Sequence, residues 1–222
     1  MISVIIPTVN ESEHLPQALR MLRENPAPHE TTVSDGGSSD GTLGIAAQYG
    51  ARVLRAPRPG RAAQMNAGAQ LARGEVLLFL HADTQVRPSS LEQIEHALQR
   101  PAVVGGGFER RFDSASLFLR FTCWLATWRC RALGWFLGDQ GIFVRRSIFD
   151  QLRGFKEMPV FEDLDFARRL ARAGKVVTIS PGVISSPRRF ARRGIVLTTC
   201  SDFWLTCRYL AGLKARESTD GY

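Results

Sequence analysis

Through the first hundred residues, short runs that are apolar at every position alternate with longer segments whose apolar residues recur every three or four. ISVIIP reads as a strand and SEHLPQALRMLRE as a helix, TTVSD as a strand and DGTLGIAAQYG as a helix. ARVLRA and RAAQMNAGAQLAR repeat the pair, as do EVLLFL and SSLEQIEHALQ. Continuously apolar strands are covered on both faces, and strict strand–helix alternation calls for a parallel sheet with helices on either side. The expectation is an α/β fold, with Ser89 and Ser90 as caps of the fourth helix.

The second half is less regular. VVGGGFERRF predicts a strand, residues 115–135 a long aromatic helix, then GIFVRR, SIFDQLRGF, the helical EDLDFARRLARAG, a late strand KVVTIS and a helical tail. Neither a repeat nor a linker divides the chain, so residues 1–222 are expected to form one domain. Its parts are a nucleotide-binding half (1–100), an acceptor and catalytic half (101–190) and a helical tail (191–222). Leu117, Phe121, Trp124, Leu125 and Trp128 make a stripe at helical spacing, which reads first as core. Arg120 and Arg129 at its flanks support a second reading, an interfacial helix on an anionic leaflet, which DFWLTCRYLAGL and RRFARRG would extend or turn into a homodimer contact.

Composition narrows the partners. The 222 residues are 44% hydrophobic and 23% charged, which suits a folded chain, and the formal charge of +8 favours anionic partners. Cys123 and Cys130, like Cys200 and Cys207, stand seven apart, roughly 10 Å along a helix and too far for a disulfide within a pair. All four are expected to be buried free thiols. MISVIIPTVNE lacks a signal-peptide pattern and no run reaches a membrane span, so the expected location is cytoplasmic, or peripheral on the inner face of the membrane.

In α/β sheets ligands bind beyond the carboxyl ends of the strands. There the sequence places PTVNE, DGGSSDGT, RPGRAAQ and HADT, each after a strand. Asp83 is available to a hard cation, because Mg²⁺ or Mn²⁺ needs only one or two carboxylates when a diphosphate supplies other oxygens. Asp35 at a strand end can accept from a nucleobase or ribose, with Gly36 and Gly37 admitting close backbone approach, while Asp40 caps the next helix. Glu162 and Asp163 open a helix, either for its dipole or as a general base for an acceptor hydroxyl. Neither a G-x-G-x-x-G nor a G-x-x-x-x-G-K-[ST] motif is present, which argues against dinucleotide oxidoreductases and P-loop NTPases.

SVIIPTVNE, DGGSSDGT, GRAAQMNAG, LLFLHADT, GDQGIFVRRSIF and FEDLDFARRL together resemble, in order and spacing, the family 2 glycosyltransferases of GT-A fold. The resemblance implies a Rossmann-like, mostly parallel central sheet, a nucleoside-diphosphate sugar donor with UDP favoured, a divalent metal (Mn or Mg), and inversion by one displacement. It implies no nucleic-acid partner. By position, Pro7, Thr8, Asn10 and Glu11 match the first nucleotide-contacting loop, Asp35 and Gly36 the base- or ribose-binding turn, and Asp83 the metal-binding acid of D-x-D. Asp163 matches the catalytic base with Glu162 beside it, and Asp139 and Gln140 would lie near the acceptor. His81, Ala82 and Arg61 complete the implied diphosphate side. The chain departs from the pattern where His81 replaces the first acid, Gly36 a frequent second Asp, and Met65 a frequent Arg. HADT and GDQGIFVRR resemble a short bacterial subgroup, some members of which are associated with arsenosugar biosynthesis. Two rival readings are a nucleotide- or membrane-binding relative without turnover, and a nucleotidyltransferase releasing pyrophosphate.

Overall fold

A computed structural model describes residues 1–213, apart from the side chains of residues 191–193; residues 214–222 of the expected tail lie outside the described residues. Four adjacent strands run parallel: β1 (Ile2–Thr8), β2 (His29–Asp35), β3 (Arg52–Arg55) and β4 (Val76–Phe79). β5 (Thr84–Gln85), β6 (Val103–Phe112), β7 (Ile142–Arg145) and β8 (Lys175–Ser185) complete the order β3-β2-β1-β4-β7-β6-β8-β5. β7 runs antiparallel to both β4 and β6, which is where the simple alternation ends.

Helices α1 (Leu15–Arg23), α2 (Thr42–Gln48) and α4 (Ser90–Leu98) cover one face. There Leu15, Leu19, Leu22 and Ile94 pack with Ile2, Val4 and Ile6 of β1. On the other face α3 (Arg61–Leu71), α6 (Arg146–Gln151) and α7 (Glu162–Ala173) set Met65, Phe149, Phe166 and Leu170 against Ile5, Leu77 and Val144. β1 alternates its side chains between these two cores, which is why it is apolar at nearly every position. The remaining helices are α5 (Leu117–Leu133), α8 (Arg188–Arg193) and α9 (Ile195–Leu210). Among the described residues no helix is long and apolar enough to cross a membrane.

Three expectations need correction. Ser89 and Ser90 do not cap α4 with their side chains: Ser90 Oγ accepts from Arg87 N–H, and Leu91 N–H at the helix start donates to Asn25 Oδ1 across the core. Cys123 and Cys130 are buried thiols, but Cys200 and Cys207 are exposed, because they lie on the face of α9 that points away from the protein. The aromatic stripe of α5 is not core either. Leu119, Cys123, Ala126 and Cys130 face inward instead, and Trp124 and Trp128 are 62% and 58% exposed.

Candidate active site

The order of strand addition reverses at β1: β2 and β3 lie on one side, β4 on the other, all parallel to it. Such a switch point opens a crevice at the carboxyl ends of the strands, and the predicted residues gather there. Past β1, Asn10 takes a positive φ of 53°, donates its N–H to Ser38 Oγ (2.8 Å) and accepts from Ser39 N–H (2.9 Å). Asp40 accepts from Ser12 N–H (3.1 Å) and from Thr42 N–H (3.0 Å); the N-cap of α2 is Gly41, so Asp40 is not the cap expected of it but a turn residue just ahead that ties the first loop to the helix start. The Thr42 hydroxyl and the Ser12 contact hold this carboxyl well below the usual range. The two loops are therefore laced into one wall.

Asp35 is buried and builds that wall. It accepts from the N–H groups of Gly37 and Ser38 (2.9 Å each), the Ser38 hydroxyl and Thr8 Oγ1 (3.3 Å). A carboxylate has about four acceptor positions, and these contacts use them to shape the turn. Gly36 is also dictated by sterics. A Cβ there would stand 2.8 Å from Val9 Cγ2 and 2.9 Å from Gln64 Nε2. The Gln64 amide occupies that space because it bridges the carbonyls of Thr8 (2.7 Å) and Ser34 (3.0 Å), tying β1 to β2. Met65, beside it, is buried in the core below.

The side expected to face a diphosphate is built from three distant segments. Arg188 grips Glu11 with both Nη atoms, at 2.6 and 2.9 Å, and sets Nε 3.2 Å from Asp83 Oδ2. Burial raises the Asp83 pKa, with Arg188 opposing it. A cavity of about 200 Å³ adjoins Asp83, lined also by His14, Gln85, Asp113 and Ser185. The sequence reading missed Arg188, because a guanidinium inside the run RRFARR has no spacing that separates it from a solvated basic face.

Deeper in, Asp163 accepts from Gly138 N–H and Leu164 N–H, both at 2.6 Å, and burial lifts its pKa. Glu162 is likewise raised, first by burial and then by Asp163; Arg61 Nη1 lies 3.2 Å from its Oε1. His81 is held neutral, with its pKa lowered to about 3 by burial and then by the Arg61 charge. Its Nε2 is buried with no hydrogen-bond partner among the described residues. A Cβ on residue 138 would lie 2.3 Å from that nitrogen and 3.2 Å from Asp163 Oδ2, so only glycine lets the ring and the carboxylate share this corner. Burial pushes Asp139 up, but the Arg110 guanidinium at 2.6 Å outweighs it and the net shift is downward; Asp139 Oδ1 is buried without a hydrogen-bond partner among the described residues. Gln140 does not face a ligand. It is fully buried and braces Phe108 O, Leu137 N–H and Arg129, which corrects its expected acceptor role.

The family profile described as glycosyl transferase family 2 matches residues 3–153. The chain belongs to that family. A relative from Pseudomonas fluorescens, undecaprenyl-phosphate 4-deoxy-4-formamido-L-arabinose transferase, is 30% identical over 176 residues, covering 72% of this chain and 51% of that one. This family 2 chain spans about half the length of the curated relatives it matches. Its fold is that of a Pyrobaculum calidifontis mannosyltransferase solved with GDP-Man and Mn²⁺ (TM-score 0.69, 20% identity, 83% of this chain and 56% of that one). S. aureus TarS 1–349 with UDP-GlcNAc has the same architecture (TM-score 0.66, 18% identity, 83% and 58%).

Charge decides whether the family 2 site suits a cation. The carboxylates of Glu11, Asp83, Asp139, Glu162 and Asp163 outnumber the guanidinium partners Arg61, Arg110 and Arg188. An incoming diphosphate deepens that negative surplus, and the described residues gather no group of three metal-ligating side chains. The donor set fits a cation that arrives with the diphosphate and takes Asp83 as its protein ligand.

Proposed function

We propose that this chain transfers a sugar from a nucleoside-diphosphate sugar, with UDP favoured, to an acceptor hydroxyl with inversion at the anomeric carbon. The acceptor oxygen attacks the anomeric carbon, the bond from that carbon to the β-phosphate oxygen breaks, and the nucleoside diphosphate departs. Asp163 takes the acceptor proton. Its raised pKa brings its basicity nearer to the task, and its two backbone hydrogen bonds fix its aim. A divalent cation held by Asp83, when bound, would offset charge on the departing diphosphate. The wall of residues 8–12 and 35–42 shapes the nucleotide side. Arg188 keeps two of its five N–H donors for phosphate oxygens while Glu11 and Asp83 hold it in place.

The observation that carries this reading is the meeting of Asp163, His81 and Gly138 at one corner beyond the strand ends, where the Asp139 charge acts on both Asp163 and Asp83. Chain segments that share no local structure have no packing reason to bring an orphaned imidazole against a buried carboxylate. Release of nucleoside diphosphate from candidate donors is the test. Asp163→Asn should abolish turnover and keep donor binding; an undiminished rate would remove Asp163 as base, and pyrophosphate as product would indicate nucleotidyl transfer. The Pseudomonas fluorescens relative is named for an undecaprenyl-phosphate substrate, which favours a lipid-borne acceptor here.

A further inference from the structure

Two helices of this chain are built inside out. Around α9, Val196, Leu197, Phe203, Trp204 and Leu210 share the outward half of the circumference with Cys200, Ser201, Cys207 and a half-buried Arg208, whereas Asp202 lies on the inward half. Thr198 is its one buried residue. On α5, Leu117, Phe118, Phe121, Trp124, Leu125 and Trp128 face outward, Arg120 and Arg131 follow one edge and Arg129 the other. Of the large apolar side chains exposed among the described residues, all but Met1 and Val53 belong to these two helices or the residue Leu213 just beyond. A water-facing helix has the opposite pattern.

Both helices end beside the candidate base. α5 leads through Trp135 to Gly138, which donates to Asp163. Tyr209 of α9 stacks on Phe161 (5.2 Å between centroids), just ahead of Glu162. The Arg168 guanidinium lies over both the Trp135 and Tyr209 rings, at 5.1 and 5.8 Å, and joins the two ends.

We propose that the outward faces of α5 and α9 dock on the surface of an anionic lipid bilayer and turn the Asp163 side of the crevice toward it. Charge selects this occupant over a second copy of the chain. α5 contains no acid, Asp202 of α9 is inward and paired with Arg189, and Glu109 is already engaged by Arg131 at 2.6 Å. Arg129 is held by Trp135 O and Gln140 Oε1, so the counter-charge is wanted by Arg120, which a copy meeting it through the same helix faces would leave unpaired; lipid phosphates supply it, while Trp and Phe enter the headgroup boundary. The docking surface stands on exposure and charge alone, and its consequence, an acceptor presented at the membrane, rests on the glycosyl-transfer reading.

The full chain is to be sedimented with vesicles of phosphatidylcholine alone and of phosphatidylcholine with phosphatidylglycerol. Binding should be at least about tenfold stronger to the anionic vesicles and weaken at high salt. Trp124, Trp128 and Trp204 are three of the four tryptophans, so their emission should shift to the blue on binding. W124S/W128S and, separately, F203S/W204S should each lower partitioning about tenfold or more. Both should keep the wild-type melting temperature and the wild-type thermal shift with nucleoside diphosphate. Wild type left in the supernatant with both vesicles, or variants that bind as well as wild type, would overturn the proposal. So would a stable dimer that W124S/W128S dissociates, since the second copy would then be the occupant. If nucleoside diphosphates give no thermal shift while vesicles bind, the glycosyl-transfer reading fails and the docking surface stands.

Discussion

α1 and α5 carry the same kind of apolar stripe and use it in opposite ways. α1 turns Leu15, Ala18, Leu19 and Leu22 onto β1, whereas α5 sends its aromatic residues outward and buries the smaller Leu119, Cys123, Ala126 and Cys130. Helical spacing specifies that a stripe exists; what covers it depends on the neighbours the chain supplies. For α1 the neighbour is the sheet. For α5 no described part of the chain covers the aromatic face.

The strongest way to separate the chemical rim from the outward helices is Asp163→Asn. Nucleoside diphosphate release should fall about 100- to 10,000-fold, whereas W124S/W128S should leave turnover on a water-soluble acceptor unchanged. Equal losses in both would mean that the helices belong to the site. Stability sharpens the same contrast. Leu19→Ala should cost about 2–5 kcal/mol in chemical denaturation, and Trp124→Ser about 0.5 kcal/mol or less; comparable costs would show that the α5 stripe is covered in solution.

Arg188→Ala should weaken nucleoside diphosphate binding roughly tenfold by calorimetry, because Glu11 and Asp83 then face the phosphates without their shared guanidinium. Unchanged affinity would reduce Arg188 to a clasp between loops. The smallest effect is in pH. The raised Asp163 pKa means that the base is protonated, and inactive, over a wider acidic range than an ordinary aspartate. The rate should therefore fall about tenfold per pH unit on the acid side, with its inflection above the ordinary aspartate value. An inflection at or below that value would contradict the burial of the carboxylate.

Much of the framework was legible because local chemistry fixed it. The apolar runs of β1 and β4 could only be covered strands, the acids of EDLDFARRL could only begin a helix, and the polar clusters after each strand had to reach one edge. Other features depend on partners far away in sequence. Ser89 looked like a cap, but Asn25 meets the helix start first. Gln140 looked available, but Arg129, Leu137 and Phe108 consume its amide. Cys200 and Cys207 looked buried until α9 turned them outward. Gly36 and Met65 departed from the family pattern for reasons visible only in three dimensions: the Gln64 amide at one, the core beneath α3 at the other.

The bidentate contact between Arg188 and Glu11 joins groups 177 positions apart. During synthesis the first loop must therefore wait, its carboxylate facing water, until Arg188 has left the ribosome. A polypeptide cut after β8 would retain the whole sheet yet lack the late-arriving clasp, so assembly of this crevice should trail formation of the framework beneath it.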